Sequence, residues 1–356
     1  MFENGRRDYA APVMCECFGI RKQKRVNDMK KFAAFLLTIL IASTGNAALR
    51  DRLQPILSGD LNIAVDTFII GTHDKYIATI VRDIDDEIVM DLTMTLKDML
   101  NTYDRNILVL IEKRVFDKNS KKNSLVERRM ALKSDIQTPL AFEPLNQSEL
   151  KEVEPGSVEE IIWNGVAGPD GWGAKILGDY PKPVRLSEDK WPYEADRYIP
   201  VLLNEIGGLF IEKESIEGSP DGCTATAVQA FNYDGELQMG GMVMQYTLQP
   251  YVDAVYAVIT SDYSFSKKAM RQTRFTIFGP EDKIIYSVKI ANPLWEDVDM
   301  NPMTMPSLGF LSENLPENLY SVLSADVKEF VEFAREKYEE VRKMLPQEQE
   351  EEPTDP

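Results

Sequence analysis

Two stretches about 148 positions apart repeat one order of features: Ile107–Lys122 (ILVLIEKRVFDKNSKK) and Val255–Lys268 (VYAVITSDYSFSKK). Each is a run rich in β-branched and aromatic residues that ends in a polar turn closed by two lysines, one arm of a hairpin. Ile77–Asp83 (IATIVRD) matches Ala225–Phe231 (ATAVQAF) at the same spacing, and Glu154-Pro155-Gly156-Ser157 lies where Asn301-Pro302-Met303-Thr304 lies later. A solenoid repeats every ~20–50 residues, so a period this long points to two repeated domains. Any two hairpin-rich β domains share such alternation, so tandem duplication and coincidence both stay open. Either way the fold class is α+β, mainly antiparallel β, in two small sheet modules.

The local punctuation sets the boundaries. Leu49–Leu57 reads as a short helix, Leu61–Ile69 and Lys75–Arg82 as strands, and Asp83–Asp86 as a turn. Ile88–Thr95 is a third candidate strand and Leu96–Tyr103 one or two helical turns. Asn106–Phe116 pairs with Leu125–Lys133, after which Pro139–Pro155 breaks regularity. Ser157 and Glu160 have the spacing of a capping box opening a short helix, Ser157–Trp163. Strands resume at Cys223–Phe231, Met242–Leu248, Tyr251–Thr260, Gln272–Phe278 and Lys283–Ile290, with Asp234-Gly235 as a hairpin turn. A Pro-punctuated excursion covers 292–316. In Ala325–Leu345, capped by Ser324, the residues Val327, Phe330, Val331, Ala334, Tyr338, Val341 and Leu345 form one apolar stripe. The expected domains are therefore a module at 49–165, a Gly/Pro/aromatic linker at 166–195, a module at 196–323, an amphipathic helix at 324–345 and a disordered acidic tail at 346–356.

Met29–Ala48 (MKKFAAFLLTILIASTGNAA) has the three parts of a secretory signal peptide: a lysine pair, an apolar run and small residues before Ala48. The run is about eleven residues, against the roughly 20 that span a bilayer. Cleavage leaves no stable transmembrane anchor. Residues 1–28 read as an over-called extension ahead of a true start at Met29. Cys15 and Cys17 fall in that extension, so the mature chain keeps only Cys223 and forms no intrachain disulfide. The whole chain has 40 basic and 58 acidic side chains; removing the eight basic and four acidic of residues 1–47 leaves 32 and 54, a net charge of −22. Such a surface repels phosphate backbones, so nucleic acid is not an expected partner.

The chemistry-bearing residues are sparse. His73, the single histidine, sits in Gly71-Thr72-His73-Asp74, a loop between strands, with no identifiable nucleophile partner and no G-x-S-x-G motif. Zinc would need three or four His, Cys or carboxylate ligands, which no spacing supplies. Asp83, Asp85, Asp86 and Glu87 lack the EF-hand spacing and read as a solvated hairpin tip. Gly165–Gly173 lacks the Lys-Ser/Thr of a phosphate loop. No catalytic, cofactor or metal residue is assigned. Trp163, Trp172, Tyr180, Trp191 and Tyr193 crowd the linker and are the candidate ligand or partner contacts, against the plainer role of pinning the linker to the modules.

Gly208–Ile216 (GLFIEKESI), the TATAV strand, the YSFSKK…RFTIFGPEDKIIYS hairpin and Trp295-x-x-Val298-x-x-Asn301-Pro302 together resemble the exported surface-adhesin-E-like β modules of bacteria. The resemblance covers about 207–323 and, more faintly, 61–163. It implies a small antiparallel sheet with a helix against it, and the host-surface or matrix binding of some members. The expected function is that of an exported envelope or surface protein, periplasmic or secreted, which binds protein or glycan without catalysis. The alternative is a secreted hydrolase that works through two carboxylates on a glycan or cell-wall substrate.

Overall fold

Strand pairing in the computed structural model runs unbroken across both halves of the chain. The structure describes residues 48–145, 149–204, 206–219, 221–290, 292–298, 304–314, 320–321 and 323–344. The extension 1–28, the leader up to residue 47 and the tail 346–356 lie outside the described residues. The first half contributes α1 (Leu49–Arg52), β1 (Leu53–Leu57), β2 (Ile63–Asp66), β3 (Ile70–Gly71), β4 (Lys75–Arg82), α2 (Asp86–Asp91) and α3 (Met94–Thr102). Next come β5 (Leu108–Asp117), β6 (Lys122–Leu132), β7 (Asp135–Pro144), β8 (Lys151–Glu152), α4 (Val158–Val166) and α5 (Trp172–Leu177). The second half contributes β9 (Tyr198–Asn204), β10 (Gly207–Glu212), β11 (Glu217–Ser219), β12 (Gly222–Phe231), α6 (Tyr233–Thr247), β13 (Tyr256–Ser264) and β14 (Ala269–Phe278). It ends with β15 (Ile284–Lys289), β16 (Glu296–Asp297), α7 (Met305–Glu313) and α8 (Ala325–Arg342). The sheet order is β7-β6-β5-β4-β3-β15-β14-β13-β12-β10-β9, and the pairings are antiparallel. With eight α-helices among the described residues, the fold is α+β and mostly antiparallel β. No described helix is long and apolar enough to cross a membrane.

The register of the first half recurs in the second, 147 positions on. Lys75 faces Asp117 as Gly222 faces Ser264, and Ile70 faces Ile77 as Glu217 faces Thr224. The β5–β6 register shifts at Lys113/Arg114, and the β13–β14 register at Thr260/Ser261. A second shift, between Met130 and Ala131 in the β6–β7 pair, has its counterpart between Ile277 and Phe278. A bulge adds one residue to one strand and turns the side chains beyond it, so its position fixes which residues reach the core.

Helices cover opposite faces in the two halves. Ile162, Val166 and Leu177 of α4 and α5 bury Ile63, Val65, Tyr76, Ala78 and Ile80. Leu308, Leu311, Val327, Phe330, Val331, Ala334 and Tyr338 of α7 and α8 bury Cys223, Ala225, Tyr263 and Phe265. The joint is β3 against β15, where Gly71 faces Ser287. A Cβ on Gly71 would lie 2.6 Å from both Leu177 and the Tyr180 hydroxyl, so only glycine lets the α5 layer close over this joint. Ser287 in turn shares a face with Thr276, their hydroxyls 2.8 Å apart. The α5 layer and the helix-free face of the second half therefore lie on one side of the sheet.

Several local expectations are corrected. Ile88–Thr95 is not a strand: Asp85 accepts from the Ile88 N–H and caps α2, and α3 follows from Met94. Asp83 is not a free tip either, being bonded to Asn62 and paired with Lys133. Met242–Leu248 belongs to α6, and Asp234-Gly235 lies in its first turn, because Asn232 caps the helix through the Gly235 N–H. Leu53–Leu57 is a strand, and Leu61–Ile69 is interrupted after Asp66. Pro139 and Pro144 sit in edge strand β7, where an absent N–H is tolerated. The Pro-rich excursion contains α7, with Pro306 in its first turn. Ser157 caps α4 as expected, while Glu160 reaches the Gly156 N–H. Ser324 makes no side-chain cap bond; its hydroxyl meets Asp326.

Candidate binding site

The linker folds back across the helix-free face of the second half. Tyr193 N–H donates to the Arg185 carbonyl and Ser187 N–H to the Trp191 carbonyl, closing a short hairpin with Lys190 at φ 65°. Tyr256 holds this hairpin to the sheet. Its buried hydroxyl accepts from the Val184 N–H at 3.0 Å and lies 3.0 Å from Asp282. Trp191 packs edge-on against Phe210, ring centres 5.1 Å apart. Below the strap lies a cleft of about 470 Å³, floored by Thr226, Val228, Val258, Thr260 and Arg274. That volume suits a small ligand rather than a folded partner.

The rim charges divide into two groups. Arg197 bonds Glu194 at 3.0 Å and Glu212 at 2.9 Å, and these carboxylates raise its pKa further. Arg274 is different. Its Nη2 donates to the Leu177 carbonyl at 2.8 Å, but its buried Nε has no partner. Burial lowers its pKa, opposed by Tyr180 and by Asp179, which also lines the cleft. Register places Thr226 opposite Thr260, Thr260 opposite Arg274, and Arg274 opposite Lys289, four polar side chains in one row.

The candidate aromatics do not form one patch. Trp163 and Trp172 are half-buried in the α4/α5 layer, Trp172 with the Lys175 ammonium 5.0 Å from its ring. Tyr180 accepts from Lys118 Nζ at 2.8 Å and lies under Arg274. Tyr193 is exposed, with Arg185 stacked 4.5 Å from its ring. Tyr180 and Tyr193 thus flank the cleft, and Trp191 braces its roof. The floor residues Thr226, Thr260 and Arg274 were missed, since their convergence depends on cross-strand register. Alternation in Arg274–Phe278 marks a face without saying what crosses it.

The other chemical candidates have ordinary structural settings. His73 is exposed. Cys223 is buried, and burial pushes its thiol up to about 12. Among the described residues no group of three or more His, Cys, Asp or Glu side chains is placed to share a metal ion. Glu296 is a carboxyl that burial raises above its usual range, and it lies outside the cleft. No protein-family model matches this chain, no curated protein matches its sequence and no solved structure matches its fold.

Proposed function

We propose that this chain is an exported envelope or surface protein that acts by binding, built by tandem duplication of one sheet-and-helix unit. The shared register and shared bulges support the duplication. The leader at 29–48 supports export. The resemblance to surface-adhesin-E-like modules is in keeping with both. The observation that carries the binding reading is the strapped cleft of about 470 Å³ over Thr226, Thr260 and Arg274. Its carboxylates Glu194 and Glu212 are engaged by Arg197, which suits a recognition surface better than general acid–base work. Tyr180, Trp191 and Tyr193 serve as its contacts and supports.

The test is a glycan array probed with the mature chain from Leu49, alongside Thr260→Trp, which fills the cleft. Saturable capture that the variant loses, with an unchanged circular dichroism spectrum, upholds the reading. Equal capture by both proteins, or turnover of a polysaccharide by the wild type, overturns it.

A further inference from the structure

We propose that the cleft is built for a carboxylate, and that Arg274, with Thr260 beside it on the floor, seats the acid group of a small organic or sugar acid. This rests on reading the cleft as the ligand site. Like charges directly opposite on neighbouring strands destabilise a sheet, yet Arg274 faces Lys289. Among the described residues neither cation has a carboxylate within ion-pair distance. Glu194 and Glu212 are committed to Arg197. Lys182 and Arg185 add two more cations around the cleft.

The first half supplies an internal comparison. There the corresponding row is Thr79–Lys113–Glu127–Pro144, with Lys113 directly opposite Glu127. Thr79, Lys113 and Glu127 line a cleft of about 330 Å³ in which Glu127 pairs with Arg129 at 2.7 Å, and Arg52 and Asp66 pair on its rim. In the second half Arg274 stands where Glu127 stands and Lys289 where Pro144 stands, so the acid of the frame gives way to bases; Asp179 at the cleft acts on Arg274 without forming an ion pair with it. A buried guanidinium N–H with no acceptor is a defect in a bare fold. It is completed by an incoming oxyanion, and the planar edge of arginine matches a carboxylate. The two threonine hydroxyls extend the donor row from the same floor.

Phenylglyoxal labelling of the mature chain, read at Arg274 by peptide mass spectrometry with Arg197 as reference, tests the assignment. Succinate and galacturonate are the acid probes; galactose and inorganic phosphate are the controls. Each acid is expected to slow Arg274 labelling about tenfold at ten times its dissociation constant, while the controls leave the rate unchanged. Protection by galacturonate alone also upholds the proposal and makes the ligand a sugar acid. Protection by phosphate equal to that by the acids, or protection by neither acid, overturns it. Arg274→Gln should weaken acid binding about tenfold or more by calorimetry with an unchanged melting curve; undiminished binding overturns the proposal. Should the acids fail while Thr260→Trp still abolishes array capture, only the carboxylate is lost and the binding reading stands.

Discussion

Glu112→Gln should be among the most damaging single changes of charge in the first half. Glu112 is fully buried on β5, 2.9 Å from Arg114 Nε and 3.1 Å from Arg128 Nε, with Arg82 acting on it as well. Burial pushes its pKa up, but the charges of Arg114, Arg82 and Arg128 outweigh that and hold it below its ordinary value. Breaking a buried ion cluster from one side typically costs ~3–5 kcal/mol. Each guanidinium keeps a peripheral carboxylate: Asp85 for Arg82, Glu159 for Arg114 and, at 3.8 Å, for Arg82 as well, and Asp91 for Arg128. The lower end, about 3 kcal/mol, is therefore expected. The second half offers the control, for Gln229, Ile259, Ser261 and Phe275 occupy the corresponding register positions. Transplanting all four (Arg82→Gln, Glu112→Ile, Arg114→Ser, Arg128→Phe) replaces the cluster by an uncharged set and should cost less than Glu112→Gln alone. Urea denaturation of the chain from Leu49 reads both. Because the folded pKa is depressed, the stabilisation is complete above the unfolded value of 4.5 and disappears as pH falls through the folded one. A Glu112→Gln cost under about 1 kcal/mol, or a transplant costing more than the single change, would refute this account.

Tyr256→Phe should free the strap while leaving the sheet intact. It strands the Val184 N–H and removes the contact with Asp282, a loss of about 1–3 kcal/mol, read as faster proteolysis between 181 and 193 with little change in global melting. Lys118 is pressed against Tyr76 and Tyr180, and burial lowers its pKa to about 8 despite the pull of Asp74. Below that value the folded state carries an ammonium it disfavours. Stability should therefore rise between about pH 8 and the ordinary lysine value of 10.5, and Lys118→Met should abolish this slope in melts taken across the window.

What the chain's letters determine by themselves is periodic and local. Runs of β-branched and aromatic residues between turn signals mark β4, β5, β6, β12, β14 and β15, because such side chains suit a pleated surface that is buried on one or both faces. Spacing near 3.6 marks the C-terminal helix, whose Val327, Phe330, Val331, Ala334 and Tyr338 are buried. Ser157 marks a helix start for a similarly local reason, an oxygen facing an orphan N–H. Where a segment suits either state, as in Ile88–Thr95 and Met242–Leu248, local preference was overruled by caps upstream at Asp85 and Asn232. Of the candidate cleft only the surrounding aromatics Tyr180, Trp191 and Tyr193 were legible; its floor was not. Thr226, Thr260, Arg274 and Lys289 lie on four strands and meet only through register. Bulges set that register, and Gly71 at the β3–β15 joint lets the α5 layer close beside it. A one-residue slip in any of these pairings would turn the row to the opposite face, so its convergence belongs to the assembled sheet and to no single segment.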